Sequence, residues 1–162
     1  MAVSADVSKQ YMREELPLVQ ELAALHKWEI TTDYDRLLVG AKLHAHNGDL
    51  FLIEIRCDNY KEMPPFFEFI DPESGARGTK RAYPKTTDSL FHGSGPCICA
   101  PFNRKAYKSV EPSAPHGDWQ FSDWMTSTAS SVRWSNYSTL ADMLGLIQTR
   151  LGRSDYYRGR MG

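Results

Sequence analysis

The sequence predicts an α+β domain, with a helix near each end and, between them, an antiparallel meander of about four strands followed by a long irregular segment. Three observations carry this. Apolar residues recur at three- and four-residue spacing near both ends of the chain. Between Trp28 and Ile70 the pattern changes to alternation and short β-rich runs. From Asp71 to about Arg133, glycine and proline interrupt any period.

Residues 5–27 place Leu16, Val19, Leu22, Ala23 and Leu25 near one helical face. Pro17 fits best in a first turn, so this segment reads as one helix or as two short ones. Trp28 to Thr32 reads as a strand. In Leu37 to Ala45, Leu37, Val39, Ala41 and Leu43 alternate with Leu38, Gly40, Lys42 and His44, the period of a half-buried strand. Asn47-Gly48 is a strong hairpin signal. Leu50 to Arg56 returns as a β-rich run, and Phe66 to Ile70 follows the extended Pro64-Pro65.

Gly75, Gly78, Pro84, Gly93, Gly95, Pro96, Pro101, Pro112, Pro115 and Gly117 then punctuate a stretch of sparse regular structure. An irregular stretch this long in a compact domain is usually functional, partly mobile or misread as structureless. The last element is a helix with Ser135 or Ser138 as its cap, a stripe of Leu140, Met143, Leu144, Ile147 and Leu151, and Gly152 as its stop. Arg153 to Gly162 reads as a loose basic tail. The expected division is a domain over 1–152, with an insertion at about 100–133, and a tail over 153–162.

Composition excludes several classes. The 162 residues fit one domain, and folding at this size hides roughly 70% of the unfolded surface, enough for a core without staples. Nineteen Lys and Arg against 20 Asp and Glu leave a net charge of −1, which argues against nucleic-acid binding by bulk charge. No apolar run approaches the roughly 18 residues of a membrane span. The first residues lack a basic region followed by an apolar one, so the cytosol is the expected compartment. Cys57, Cys97 and Cys99 are too few for a disulfide scaffold. Two of them share the segment Gly95-Pro96-Cys97-Ile98-Cys99-Ala100-Pro101.

Three segments, taken in order, resemble the ubiquitin-conjugating enzymes, in particular their divergent bacterial relatives. Tyr60-Lys-Glu-Met-Pro64-Pro65-Phe-Phe-Glu-Phe69 is similar to the family's Tyr, Pro-Pro and Phe at the end of its third strand. Ile98-Cys99 stands where the family has its catalytic Cys after an Ile in a Gly-containing loop. Trp134-Ser135 precedes Thr139-Leu140, Met143-Leu144, Ile147-Gln148 and Leu151, as Trp-Ser precedes a helix of this pattern in the family. The likeness spans residues 60–151. It implies a UBC-like fold with a long active-site loop. It also implies that Cys99 takes a modifier's C-terminal glycine as a thioester and passes it to an amine. Bacterial relatives occur in anti-phage operons, so the implied partners are a ubiquitin-like protein or a cGAS-like nucleotidyltransferase, with the latter slightly favoured. No metal, organic cofactor, membrane or nucleic acid is implied.

The sequence departs from the family twice. The family's His-Pro-Asn before the Cys is absent: no Asn lies between Asp71 and Ile98, and the nearest His is His92. Cys99 and Trp134 are also 35 positions apart, an insertion that points to a specialised partner surface.

The residues support this chemistry as follows. A thiolate attacks an activated carbonyl and holds the acyl group as a thioester. Cys99, between Pro96 and Pro101, is the candidate nucleophile against the plainer reading of a small buried hydrophobe. Cys97 faces the same side of an extended segment. It would polarise Cys99, relay the acyl group, form a reversible disulfide, or only pack. His92 is the candidate base, against a solvated loop residue. His116 is a second imidazole that would fold over the thiol. Asn103 and Asn136 are candidate oxyanion donors. Trp119, Phe121 and Trp124 make the insertion aromatic, as a docking surface or as its own fastening. Two rival readings remain: a UBC-like binding module without catalysis, and a zinc domain built on His44, His46, Cys97 and Cys99.

Overall fold

The computed structural model describes residues 4–117 and 139–162. Helix α1 spans Ala5–His26, and strands β1 (Glu29–Asp33), β2 (Leu38–His44), β3 (Leu50–Arg56) and β4 (Phe66–Ile70) form one antiparallel sheet in sequential order. Short strands β5 (Pro84–Thr86), β6 (Phe91–His92) and β7 (Cys97–Ile98) follow, then helix α2 (Leu140–Gly152) and strand β8 (Tyr157–Arg160). The architecture is α+β, as the sequence predicts.

The register explains the core. Ala41 pairs with Ile53, which pairs with Phe69, while Val39, Ile55 and Phe67 form the parallel row. Alternation turns both rows to one face of the sheet. There they meet Met12, Leu16, Val19 and Ala23 of α1 and Met143, Leu144, Ile147 and Leu151 of α2 in one continuous core. The β2–β3 turn carries Gly48 at φ +94°, the left-handed backbone that Asn-Gly turns require.

α1 is one helix, not two. Pro17 lies inside it, and both Pro17 and Arg13, whose carbonyl loses its donor, are exposed, so the freed carbonyl is open to solvent and need not stay unpaired. The cap of α2 is Thr139. Its hydroxyl accepts from Asp142 N–H, and the Asp142 carboxylate accepts from Thr139 N–H, a reciprocal capping box. Ser135 and Ser138 lie outside the described residues. Gly152 closes the last turn without a left-handed backbone, and Arg153 is the C-cap.

The C-terminal segment is not a loose tail. β8 pairs antiparallel with β5, and Met161 N–H donates to the Tyr83 carbonyl at 3.0 Å. The Tyr157 hydroxyl donates to Asp49 at 2.6 Å, and the Arg160 guanidinium donates to the Leu50 carbonyl and lies 4.1 Å from the Phe51 ring centre. An arginine counted as charge in the sequence spends its length on an aromatic ring.

One buried carboxylate joins the two ends of the fold. Glu15 Oε1 accepts from the Tyr60 hydroxyl at 2.8 Å and from Leu140 N–H at 2.7 Å, and Oε2 lies 3.0 Å from Lys61 Nζ. The first amides of a helix lack intrahelical partners and carry its positive pole, so a carboxylate there is favourable. Among the described residues, no helix is long and apolar enough to cross a membrane.

Candidate active site

Strands β6 and β7 form a two-stranded ribbon in which Phe91 pairs with Ile98 and His92 with Cys97. Cys99 N–H donates to the Leu90 carbonyl at 2.6 Å and closes the ribbon's open end. The loop of residues 93–96 forms its tip. Gly95 suits the close approach there, because a Cβ would stand 2.4 Å from Ser113 Oγ and 3.0 Å from the Ser113 carbonyl oxygen and would force a shift. This approach brings the loop of residues 108–117 against the ribbon.

The chain after Cys99 is fixed by Asn103, which is wholly buried. Its Nδ2 donates to the Ile98 carbonyl at 2.9 Å, while its Oδ1 accepts from Phe67 N–H at 2.9 Å and Lys105 N–H at 3.2 Å. One amide thus ties the peptide before Cys99 to the first residues of β4. Phe102 packs edge-on against Phe67, and Arg104 N–H donates to the Pro65 carbonyl. The Pro64-Pro65 segment therefore abuts the thiol loop.

Cys99 is partly exposed, while Cys97 and Cys57 are buried. The Cys99 Sγ lies 3.7 Å from His116 Nε2. His116 N–H donates to the Ala106 carbonyl at 3.0 Å, and Lys108 N–H donates to the His116 carbonyl at 3.2 Å. The His116 ring rests on Tyr107 with centroids 5.2 Å apart, and the Tyr107 hydroxyl donates to the Pro101 carbonyl at 3.1 Å. Main chain and a tyrosine ring therefore aim this imidazole at the sulfur. Cys97 packs with Ala106 and Tyr107 beneath it.

Burial pushes the Cys99 thiol up from its ordinary value. Burial, then the neighbouring Cys99, pushes Cys97 up to about 12, partly offset by Lys105. Burial and the nearby Glu15 and Asp58 carboxylates raise Cys57 further. Desolvation disfavours the thiolate at each cysteine, so attack by Cys99 is helped by a proton acceptor close to its sulfur.

The sequence-derived candidates divide accordingly. Cys99 sits at a partly open position beside an imidazole, but that imidazole belongs to His116. His92 stands opposite Cys97, where its Nδ1 accepts from Gly95 N–H at 3.4 Å and shapes the ribbon tip. Cys97 shares the site's lower wall through Tyr107. Asn103 engages the Ile98 carbonyl and two backbone amides, so its side chain is committed to positioning the loop. Asn136, Trp119, Phe121, Trp124 and Trp134 lie outside the described residues. The zinc reading gains no site: His46 packs edge-on to Tyr157, the cysteines lie on β7 and just after it, and no group of three or more metal-ligating side chains occurs among the described residues. Tyr107 carries no motif, and only its packing on His116 reveals its part.

No family model matches the chain, and neither a curated protein nor a solved structure matches it.

Proposed function

We propose that the chain is an acyltransferase of the ubiquitin-conjugating type, with Cys99 as the nucleophile. The observation that carries this reading is the partly exposed Cys99 sulfur, 3.7 Å from an imidazole, on a loop clamped by a buried asparagine. The element order supports it: helix, four-stranded antiparallel sheet with the Pro-Pro segment leading into its last strand, thiol loop and C-terminal helix follow the order that the resemblance implies.

The chemistry runs in two halves. The Cys99 sulfur attacks the activated C-terminal glycine carbonyl of a modifier protein, forming the S–C bond as the activating group leaves with the thiol proton. An acceptor amine then attacks the thioester. The N–C bond forms, the S–C bond breaks, and the amine proton returns to sulfur, leaving an isopeptide. A cGAS-like nucleotidyltransferase or a ubiquitin-like protein would be the modifier, in cytosolic antiviral defence.

Co-expression with the products of the flanking genes tests this. Wild type should yield an adduct on a non-reducing gel that dithiothreitol removes. Cys99→Ser should yield one that resists dithiothreitol and yields to alkali, because an oxygen ester replaces the thioester. Absence of both adducts would favour a binding module without catalysis.

A further inference from the structure

We propose that His116 is the general base of the Cys99 site and serves both halves of the transfer. The inference rests on the acyl-transfer reading of Cys99 and assigns a catalytic role to a second residue. Four observations support it. His116 Nε2 is the imidazole nitrogen at 3.7 Å from the sulfur. Two backbone hydrogen bonds hold residue 116 in a bridge beside residue 107. The ring is seated on Tyr107, which is anchored to Pro101 two positions from Cys99. The loop approaches the ribbon closely at Gly95, where a Cβ would stand 2.4 Å from Ser113 Oγ and 3.0 Å from its carbonyl oxygen.

The proton movements follow. In the tautomer with hydrogen on Nδ1, Nε2 accepts the thiol proton as sulfur bonds the acyl carbon, and the imidazolium returns that proton to the departing activating group. In the second half the amine's proton passes to Nε2 and then to the sulfur released from the thioester. The acyl donor is an acyl phosphate anhydride or thioester supplied by the modifier, and no oxidant or reductant enters. Desolvation disfavours a standing thiolate at Cys99, so His116 acts as a base within the step. His92, held at the ribbon tip by Gly95, has no part in either proton transfer.

Alkylation by iodoacetamide tests this without any modifier protein. The rate at Cys99 is read by peptide mass on the full chain at neutral pH. His116→Gln should slow it at least about tenfold, a threshold set below the roughly 10²–10⁴-fold typical of a general base. Imidazole in solution should restore part of the rate in His116→Ala, and His92→Gln should change it less than about twofold. An unchanged rate in His116→Gln, or an equal loss in His92→Gln, overturns the proposal. Cys57, wholly buried, reports unfolding in the same digest. The wild type supplies a measurement free of substitution: carboxamidomethylation of Cys99 must shift the His116 ring resonances, and unmoved resonances contradict the contact. Alkylation that depends on His116 in a protein forming no thioester keeps the base and removes the proposed function. A thioester formed at full rate in His116→Gln keeps the function and removes the base.

Discussion

The Asn103 side-chain amide donates to the Ile98 carbonyl at 2.9 Å and so holds the residue that precedes the candidate nucleophile. Asn103→Ala removes the acceptor of the Phe67 and Lys105 amides in the interior, while the Ile98 carbonyl keeps Ala100 N–H at 3.0 Å. It should cost about 2 kcal/mol or more in urea denaturation, since each buried unpaired group costs about 1–3 kcal/mol. A variant that kept full stability while losing only transfer rate would return Asn103 to the role of oxyanion donor.

Glu15 joins α1 to the start of α2. Glu15→Ala leaves Lys61 without its carboxylate and removes the acceptor for Tyr60 and Leu140, so it should destabilise by about 3–5 kcal/mol. Glu15→Gln keeps an oxygen for both hydrogen bonds and should lose about 1–3 kcal/mol. Equal losses in thermal or urea unfolding would contradict the assigned division between hydrogen bonds and ion pair.

Asp49 is held below its ordinary value of 3.8, first by the Tyr157 hydroxyl, then by Asn47 and by Arg160 and His46 against a desolvation cost. A carboxylate with a lower pKa in the folded state stabilises it fully above the unfolded value, and this contribution fades as pH falls through the folded value. Tyr157→Phe should therefore be about 1 kcal/mol less stable than wild type at neutral pH. The gap should narrow as pH drops below about 4. A constant gap across that range would mean that the substitution acts through packing alone.

Gly95→Ala places a methyl against the Ser113 backbone and must push the 108–117 loop outward. Such overpacking costs about 1–3 kcal/mol. Because His116 travels with that loop, Cys99 alkylation should slow in the same variant. An unchanged rate would show that His116 is held independently of the ribbon tip.

Much of the fold was legible in the sequence for simple reasons. β3 and β4 have the bounds their apolar runs predict, and the hairpin before β3 follows from Asn47-Gly48. Pro17 misleads because its damage depends on which face the carbonyl of Arg13 takes, a fact of packing. The C-terminal arginines mislead because charge counts do not show that Arg160 lies over Phe51. The site was half legible. Cys99 stands out by its glycine- and proline-rich setting, but His92 and His116 are both loop histidines, one seven positions before and one seventeen after the thiol. Only the fold, which sets His116 Nε2 3.7 Å from the sulfur and pairs His92 of β6 with Cys97, tells them apart. Asn103 looked like a free amide because its three partners come from β4, β7 and its own turn.

Acyl transfer through Cys99 is read out by the intact mass, without reductant, of the protein co-expressed with its flanking gene products, as wild type, Cys97→Ala and Cys99→Ala. A thiol-sensitive adduct is expected in wild type and Cys97→Ala and none in Cys99→Ala. An adduct that survives in Cys99→Ala, or no adduct in any of the three, would contradict transfer through Cys99.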